Sequence, residues 1–226
     1  MITIEEQIKT YAKKLGADVC GIGAIERFAK YPSEFSPAGV WDKCRSVVAF
    51  GIALPKGLFE AEPRLIYGHY NELACTTIDN MLLKAAKYME ETFDCKAIPM
   101  PSDSPYEYWD SDEMIGKGLI SMKAAAVSCG LGQMGKSTLL LNETYGNRLV
   151  LGIVLTDMEL ISDPLASNIC IPGCTKCIDS CPTGAISADG VNQKTCRLNT
   201  YGHTKRGFDT VDCNKCRAIC PRAMGK

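Results

Sequence analysis

The chain has 226 residues, of which 46% are hydrophobic and 23% charged, and its formal net charge is −1 at pH 7. This length and composition predict a globular protein with one sizeable core and a smaller appended unit. Without a surplus of basic residues to contact many phosphates, we expect no nucleic-acid partner. No apolar run reaches the roughly 18 residues of a membrane span and no signal-peptide pattern opens the chain, so we expect no membrane partner and a cytoplasmic location.

The first part of the chain reads as a mixture of helices and strands. Thr3 and Glu6 form a capping-box pattern before apolar residues at helical spacing, and Gly16 ends that run. Further apolar patterns predict strands at 19–22, 46–54, 96–98 and 148–156, and helices at 69–91 and 120–128.

A loop at 100–112 is rich in polar and aromatic residues. We take four of its side chains as candidates for the substrate side of a site, with ordinary loop packing as the alternative: Tyr106, Tyr108, Trp109 and Asp110.

A sharp change of composition follows Asp163 and Pro164. Eight of the 13 cysteines lie between Cys170 and Cys220. We therefore predict two domains, residues 1–162 and residues 163–226. In a chain without an export signal, thiols stay reduced and serve as metal ligands rather than as disulfides.

The cysteines of the second domain have a spacing typical of [4Fe-4S] clusters. A C-x3-C-x2-C-x3-C-P run is followed by C-x2-C-x3-C-P, and the first x3 departs from the usual x2. In proteins with two such clusters, the cysteine that ends a run ligates the other cluster. The predicted ligands are Cys170, Cys174, Cys177 and Cys220 for the first cluster, and Cys181, Cys196, Cys213 and Cys216 for the second.

Paired zinc sites built from the C-x2-C units are the alternative interpretation of this spacing. The remaining cysteines show no paired spacing and are predicted to pack in the core as small hydrophobic residues: Cys20, Cys44, Cys75, Cys95 and Cys129.

The segment from Gly130 to Ser137 matches the P-loop pattern, and its first six residues match the dinucleotide fingerprint G-x-G-x-x-G. Both motifs need a buried strand before the glycines and a helix after them. Here an alanine-rich helical stretch precedes the glycines and strand-compatible residues follow. A nucleotide site and a tight turn whose glycines permit close packing both remain open at this point.

Several segments together resemble the iron–sulfur proteins related to epoxyqueuosine reductase and, more distantly, the corrinoid reductive dehalogenases. The similar segments are Lys123-Ala-Ala-Ala-Val, Gly130-Leu-Gly132, Gly135-Lys136-Ser137, Leu139-Leu140, Tyr145-Gly146, Leu155-Thr-Asp157, the cysteine runs and, more weakly, Leu15-Gly-Ala-Asp and Gly21-Ile-Gly23.

The resemblance implies an α+β fold, with a nitroreductase-like α/β core followed by a C-terminal ferredoxin-like domain that holds two [4Fe-4S] clusters. It implies cobalamin in the core, with FMN as the alternative. The residues expected to approach this cofactor are Gly130, Leu131, Gly132, Gln133, Gly135, Lys136 and Ser137.

Some family features have no match, which limits what the resemblance implies for the substrate. The family's Asp-Ser/Thr-Gly-Pro segment lies shortly before the glycine loop, whereas Asp103-Ser-Pro105 lies farther upstream, so no catalytic residue is assigned. Gln133 replaces an aromatic residue and no basic face is evident. We therefore expect a small molecule or a corrinoid as the acceptor rather than transfer RNA.

The leading hypothesis is an iron–sulfur oxidoreductase. An external donor such as a ferredoxin or flavodoxin would reduce the clusters, which would pass electrons to the cofactor in the first domain. The alternatives are a cofactor-free electron carrier that reduces a partner's metal centre, and an ATP-coupled reductase that uses the glycine loop.

Overall fold

The computed structural model describes residues 2–226 and contains seven α-helices within them. They are α1 (Ile4–Leu15), α2 (Pro37–Val40), α3 (Arg64–Phe93), α4 (Met122–Ser128), α5 (Lys176–Asp179), α6 (Gln193–Thr200) and α7 (Lys215–Ala218). Three short 3-10 helices lie at Ile25–Phe28, Ser33–Phe35 and Lys56–Phe59. No helix of residues 2–226 combines the length and the apolar character needed to cross a membrane.

The strands over the same residues form one larger sheet and four two-stranded ribbons. They are β1 (Val19–Ala24), β2 (Ser46–Ala53), β3 (Ala97–Met100), β4 (Tyr108–Asp110), β5 (Ile115–Lys117), β6 (Gln133–Met134), β7 (Leu140–Leu141), β8 (Leu149–Thr156), β9 (Ile186–Ser187), β10 (Gly190–Val191), β11 (Tyr201–His203) and β12 (Asp209–Val211).

The larger sheet has the strand order β1-β2-β8-β3, and all of its pairings are antiparallel. Every residue of β8 is buried, because both faces of the sheet are covered. Val154 and alternate residues pack toward α1 and α3, whereas Ile153 and its alternates pack toward α4. The period-two alternation of a strand thus divides a continuous apolar run between two cores.

The sequence patterns located the strands of the larger sheet and three of the helices, whereas the two-stranded ribbons were not predicted and β4 lies within the loop predicted at 100–112. Thr3 and Glu6 form the predicted capping box at the start of α1, and Gly16 ends it in the left-handed conformation. The predicted strands correspond to β1, β2, β3 and β8, and the predicted helices to α1, α3 and α4. The helix predicted at 69–91 is longer at both ends, because Pro63 precedes its first turn and Asp94 ends it in the left-handed region.

The cysteine-rich segment packs closely on the sheet domain. Asn147 and Arg217 exchange side-chain to backbone hydrogen bonds. Gly146 lies against the backbone of Ala223, where a Cβ would come within 2.1 Å of the carbonyl oxygen. The segment that joins the two parts of the chain is hydrogen-bonded to the first part, since the Asp163 carboxylate accepts a hydrogen bond from the Ile22 amide. The division at residues 162 and 163 stays a prediction.

Candidate functional site

The first predicted set of cysteines lines one small cavity. Cys170, Cys174, Cys177 and Cys220 all face it, together with Gly135, Lys136, Ser137 and Arg222. Burial raises the pKa of the Cys220 thiol, and the neighbouring Cys170, Cys177 and Cys174 thiolates raise it further. The structure thus brings Cys220 to three cysteines that lie more than 40 positions earlier in the chain.

The second predicted set lines a separate cavity of about 1180 Å³. Cys181, Cys196, Cys213 and Cys216 all contribute to its wall. Burial raises the pKa of Cys216, and the adjacent Cys196 and Cys213 thiolates raise it further. α6 carries Cys196 and α7 carries Cys216, so these two short helices bring distant parts of the chain to one cavity.

Within residues 2–226, no three histidine, cysteine or acidic side chains converge closely enough to hold a single ion. Tetrahedral zinc would need sulfur atoms about 3.8 Å apart, given a Zn–S bond of roughly 2.3 Å. A four-iron cluster spaces its thiolates more widely, and the two cysteine runs that end in Cys-Pro follow the pattern of such clusters.

Two buried hydrogen-bond donors without partners also suit iron–sulfur clusters in these cavities. The Nε of Arg222 and the Nδ2 of Asn214 are buried and make no hydrogen bond, and their residues line the first and second cysteine cavities respectively. An unpaired buried donor is costly. Cluster sulfur atoms accept such hydrogen bonds, and these bonds help to set the reduction potential.

A third cavity of about 680 Å³ lies next to the second cysteine set. Its apolar wall includes Leu149 and Leu151 of β8, and it shares Cys75, Lys123 and Arg217 with the second cysteine cavity. Its volume is within the range of ligand pockets, roughly 300–1,000 Å³. The cavity therefore joins an apolar ligand space to the second cysteine set.

One buried amide oxygen in this third cavity lacks a hydrogen-bond partner. Asn147 is 2% exposed and lines the cavity, and its Oδ1 accepts no hydrogen bond. Such an acceptor suits an N–H group of a bound ligand. The amide side chains around a corrin ring carry such groups, and so does the isoalloxazine ring of a flavin, so the residues present fit either cofactor.

The glycine loop lies beside the first cysteine cavity rather than in the third one. Gly135, Lys136 and Ser137 line the first cysteine cavity, and the Lys136 Nζ donates to the Cys174 carbonyl at 2.7 Å. None of residues 130–137 lines the third cavity. The loop's predicted contact with a cofactor in the core stays a prediction.

The remaining loop residues make contacts within the protein. Leu131 is in the core, and the Gln133 Nε2 donates to the Ala166 carbonyl at 2.9 Å. A Cβ on Gly130 or Gly132 would lie 2.4 Å from a backbone oxygen. The loop follows helix α4 and leads into strand β7, which is the reverse of the strand-loop-helix order of a P-loop.

An aromatic and cationic cluster lies beside the third cavity, which Tyr106, Arg197 and Tyr201 line and Trp109 does not. The rings of Tyr106 and Trp109 stack with centroids 5.9 Å apart and an interplanar angle of 16°. The Arg197 guanidinium lies 5.5, 5.1 and 5.7 Å from the ring centroids of Tyr106, Trp109 and Tyr201. Trp109 and Tyr201 are about half exposed, so an aromatic surface faces outward beside the cavity.

The other two loop candidates take no part in this cluster. Tyr108 is exposed and donates to Asp110 at 3.4 Å, and neither residue lines the cavity. Sequence reasoning did not select Asn147, Arg197 or Arg217. Arg197 and Arg217 each had one signal, since they directly follow the predicted cluster ligands Cys196 and Cys216, whereas Asn147 had none.

Comparison with known proteins found relatives in the family that the sequence resembles. The chain is 31% identical over 257 residues to an epoxyqueuosine reductase of Bacillus cereus, covering 98% of the chain and 65% of the relative. The epoxyqueuosine reductase of Bacillus subtilis is 25% identical, over 99% of the chain and 64% of the relative. The chain therefore spans slightly less than two thirds of these relatives. No family model matches it.

Solved structures agree on the fold. An epoxyqueuosine reductase with a tRNA-Tyr epoxyqueuosine-modified tRNA stem loop has a TM-score of 0.70 at 19% identity, over 99% of this chain and 66% of that one. The reductive dehalogenase NpRdhA has a TM-score of 0.70 at 19% identity, over 96% of this chain and 31% of that one. Identities this low establish similarity of fold alone.

The exclusion of a nucleic-acid partner was wrong. It relied on the net charge of −1 of the whole chain, whereas a structure with this fold contains a tRNA stem loop. Net charge averages over the surface and does not report a local arrangement such as Arg197 with its aromatic neighbours or the exposed Lys205 and Arg206 beside Phe208. The curated relatives and the fold neighbours thus support the epoxyqueuosine reductase-like family that the sequence resembles, and the reductive dehalogenases share the fold.

Proposed function

We propose that this chain is an iron–sulfur oxidoreductase in which two [4Fe-4S] clusters pass electrons to a cofactor, cobalamin in preference to FMN, in the 680 Å³ cavity. The observation that carries the proposal is the convergence of eight cysteines, in two exchanged sets of four, on two cavities, one of which adjoins that third cavity. The epoxyqueuosine reductase relatives support an oxidoreductase activity.

The proposed ligands keep the assignment made from spacing. Cys170, Cys174, Cys177 and Cys220 would hold the first cluster, and Cys181, Cys196, Cys213 and Cys216 the second. When bound, the clusters would supply low-potential one-electron transfer, and cobalamin would supply a cobalt ion able to reduce a bound substrate. A ferredoxin or flavodoxin is the proposed donor.

The chain's own residues would bind and orient the cofactor and the clusters and enclose the cofactor in its cavity. The Asn147 Oδ1 would accept a hydrogen bond from the cofactor, which would satisfy an otherwise unpaired buried oxygen. Leu149 and Leu151 would exclude water from one side of the cavity. Arg222 and Asn214 would donate to cluster sulfur atoms.

The substrate is proposed to be a modified base carried by an RNA loop, as in the relatives named for epoxyqueuosine. The stacked Tyr106 and Trp109 rings with Arg197 support this choice, because unpaired RNA bases bind by stacking on aromatic rings and guanidinium planes. Their position beside the cavity would direct a base toward the cofactor.

The first experiment is anaerobic reconstitution with iron analysis and visible spectra, before and after adding cobalamin or FMN. We expect about eight irons per chain, as two four-iron clusters require, and uptake of cobalamin. Cys177→Ala should lose about half of the iron, whereas the matched control Cys95→Ala, a buried cysteine outside both cavities, should retain it. Full iron without uptake of either cofactor would favour the electron-carrier alternative, and a chain that binds no iron would refute the proposal.

The substrate proposal has its own test. We expect the reconstituted protein to bind an epoxyqueuosine-modified tRNA stem loop in a fluorescence anisotropy assay and to reduce it. Trp109→Ala should weaken binding by roughly 5- to 150-fold, since stacking contributes about 1–3 kcal/mol per base. Tyr70→Ala, an equally exposed aromatic residue on α3, is the control and should leave binding unchanged. Equal affinities for the two variants would contradict the stacking role.

A further inference from the structure

Two cations lie in the wall between the second cysteine set and the third cavity. Lys123, in the first turn of α4, and Arg217, on α7, each line both cavities. The Lys123 Nζ donates to the Thr138 carbonyl at 2.9 Å, and the Arg217 Nη1 donates to the Asn147 carbonyl. Their polar contacts are therefore to neutral backbone oxygens.

Neither cation is paired with an acid. No carboxylate of residues 2–226 lies within 4.0 Å of the charged nitrogens of Lys123 or Arg217. Asp103 lines the same two cavities without forming an ion pair with either residue. The wall therefore carries two basic side chains that form no ion pair with a carboxylate.

Lys123 is held largely out of water. Burial lowers its pKa, the charge of Arg217 lowers it further, and the Cys216 thiolate acts in the opposite direction. Exposed charges are screened by water and salt, whereas a buried charge acts more strongly on its neighbours. Lys123 also lines the same cavity as Cys216, so it is placed to act on whatever Cys216 binds.

The carbonyl that holds Lys123 belongs to a strained residue. Thr138 has a φ of 59°, which is unusual for a β-branched side chain. Such strain costs about 1–3 kcal/mol and persists only where the surrounding structure imposes it. The backbone is therefore held in a conformation that directs a carbonyl at Lys123.

From this arrangement, and given the clusters of the proposed function, we propose that Lys123 raises the reduction potential of the second cluster relative to the first. A cluster with four thiolates is negatively charged and becomes more so when it gains one electron from the donor, which is oxidised by one electron. No bond or proton changes in this step. A nearby cation stabilises the reduced state, so electrons collect at the cluster beside the third cavity.

The test is a redox titration of the reconstituted protein, followed by EPR, that measures both cluster potentials. Lys123→Gln removes the charge but keeps a donor for the Thr138 carbonyl, and Lys123→Arg keeps the charge. We expect the Gln variant to lower the reduced fraction of the second cluster about tenfold at a fixed potential, as for a unit charge on the order of 10 Å away at an effective dielectric constant near 20. For a one-electron couple this is about 59 mV.

The comparison includes a matched control. Lys205→Gln removes an exposed cation that does not line the second cysteine cavity, and solvent screening should leave both potentials near those of the wild type. The first cluster should not shift in any variant. Should Lys123→Gln lose the second cluster, Lys123→Arg still tests the inference, because its second-cluster potential should stay near that of the wild type.

Identical second-cluster potentials, or identical cluster losses, in the Gln and Arg variants would overturn the inference. These outcomes are separate from failure of the proposed function, because iron analysis of the wild-type protein reports first whether the clusters are present at all.

Discussion

Replacing Gly132 by alanine tests whether the glycine loop serves packing or cofactor binding. A Cβ at this position would lie 2.4 Å from the carbonyl oxygen of Leu141 and 2.9 Å from its carbonyl carbon. Leu141 is 1% exposed, and its strand β7 pairs with Gln133 of β6, so its backbone has little room to move. We therefore expect Gly132→Ala to destabilise the fold.

The expected loss follows from the cost of overpacking, about 1–3 kcal/mol. For a chain of this size each kcal/mol lowers Tm by roughly 2–4 °C, so Tm should fall by about 2 to about 12 °C. The control is Gly57→Ala, where no atom lies within 4 Å of the added Cβ. The free energy of unfolding of this control should change by no more than about 0.5 kcal/mol, as for an ordinary surface substitution, and its Tm should change correspondingly little.

The assay is circular dichroism during anaerobic heating of both reconstituted variants at one scan rate, together with titrations of cobalamin and FMN. A lower Tm with unchanged cofactor affinity in the surviving folded protein would support the packing role. A wild-type Tm combined with weakened cofactor binding would refute the packing argument and favour the cofactor contact predicted for the loop.

Two further predictions concern cysteines. Cys220→Ser should remove the signal of the first cluster in EPR spectra, although Cys220 lies in the second motif, because it lines the cavity of Cys170; loss of the second signal alone would show that the ligands are not exchanged. The Cys44 thiol, whose pKa burial raises to about 11 from 9.0, should stay unmodified by iodoacetamide at pH 8 and react after unfolding, as mapped by mass spectrometry. Since only the unfolded chain loses that proton between pH 9 and 11, this thiol should also lower stability as the pH rises through that interval, and rapid alkylation of the native protein would contradict its burial.

Local sequence patterns determined most of the secondary structure of this protein. The capping box of α1 and the apolar runs of β2 and β8 depend on neighbours a few positions apart, so they can be read without knowledge of the fold. The spacing of the cysteines also separated them into two sets of four, and each set lines its own cavity. Short spacings position the ligands within each run, whereas Cys220 and Cys181 join the other set because the cysteine that ends a run ligates the other cluster in two-cluster proteins.

Only the tertiary structure decided where the other functional groups lie. Arg197 and Trp109 are 88 positions apart in the chain and meet because α6 packs against the ribbon of β4 and β5. Lys123 and Arg217 reach one wall only when the cysteine-rich segment packs on the sheet domain. Neither pairing has a spacing signal, because both depend on how distant elements pack. For the same reason the net charge did not reveal the local chemistry beside the third cavity.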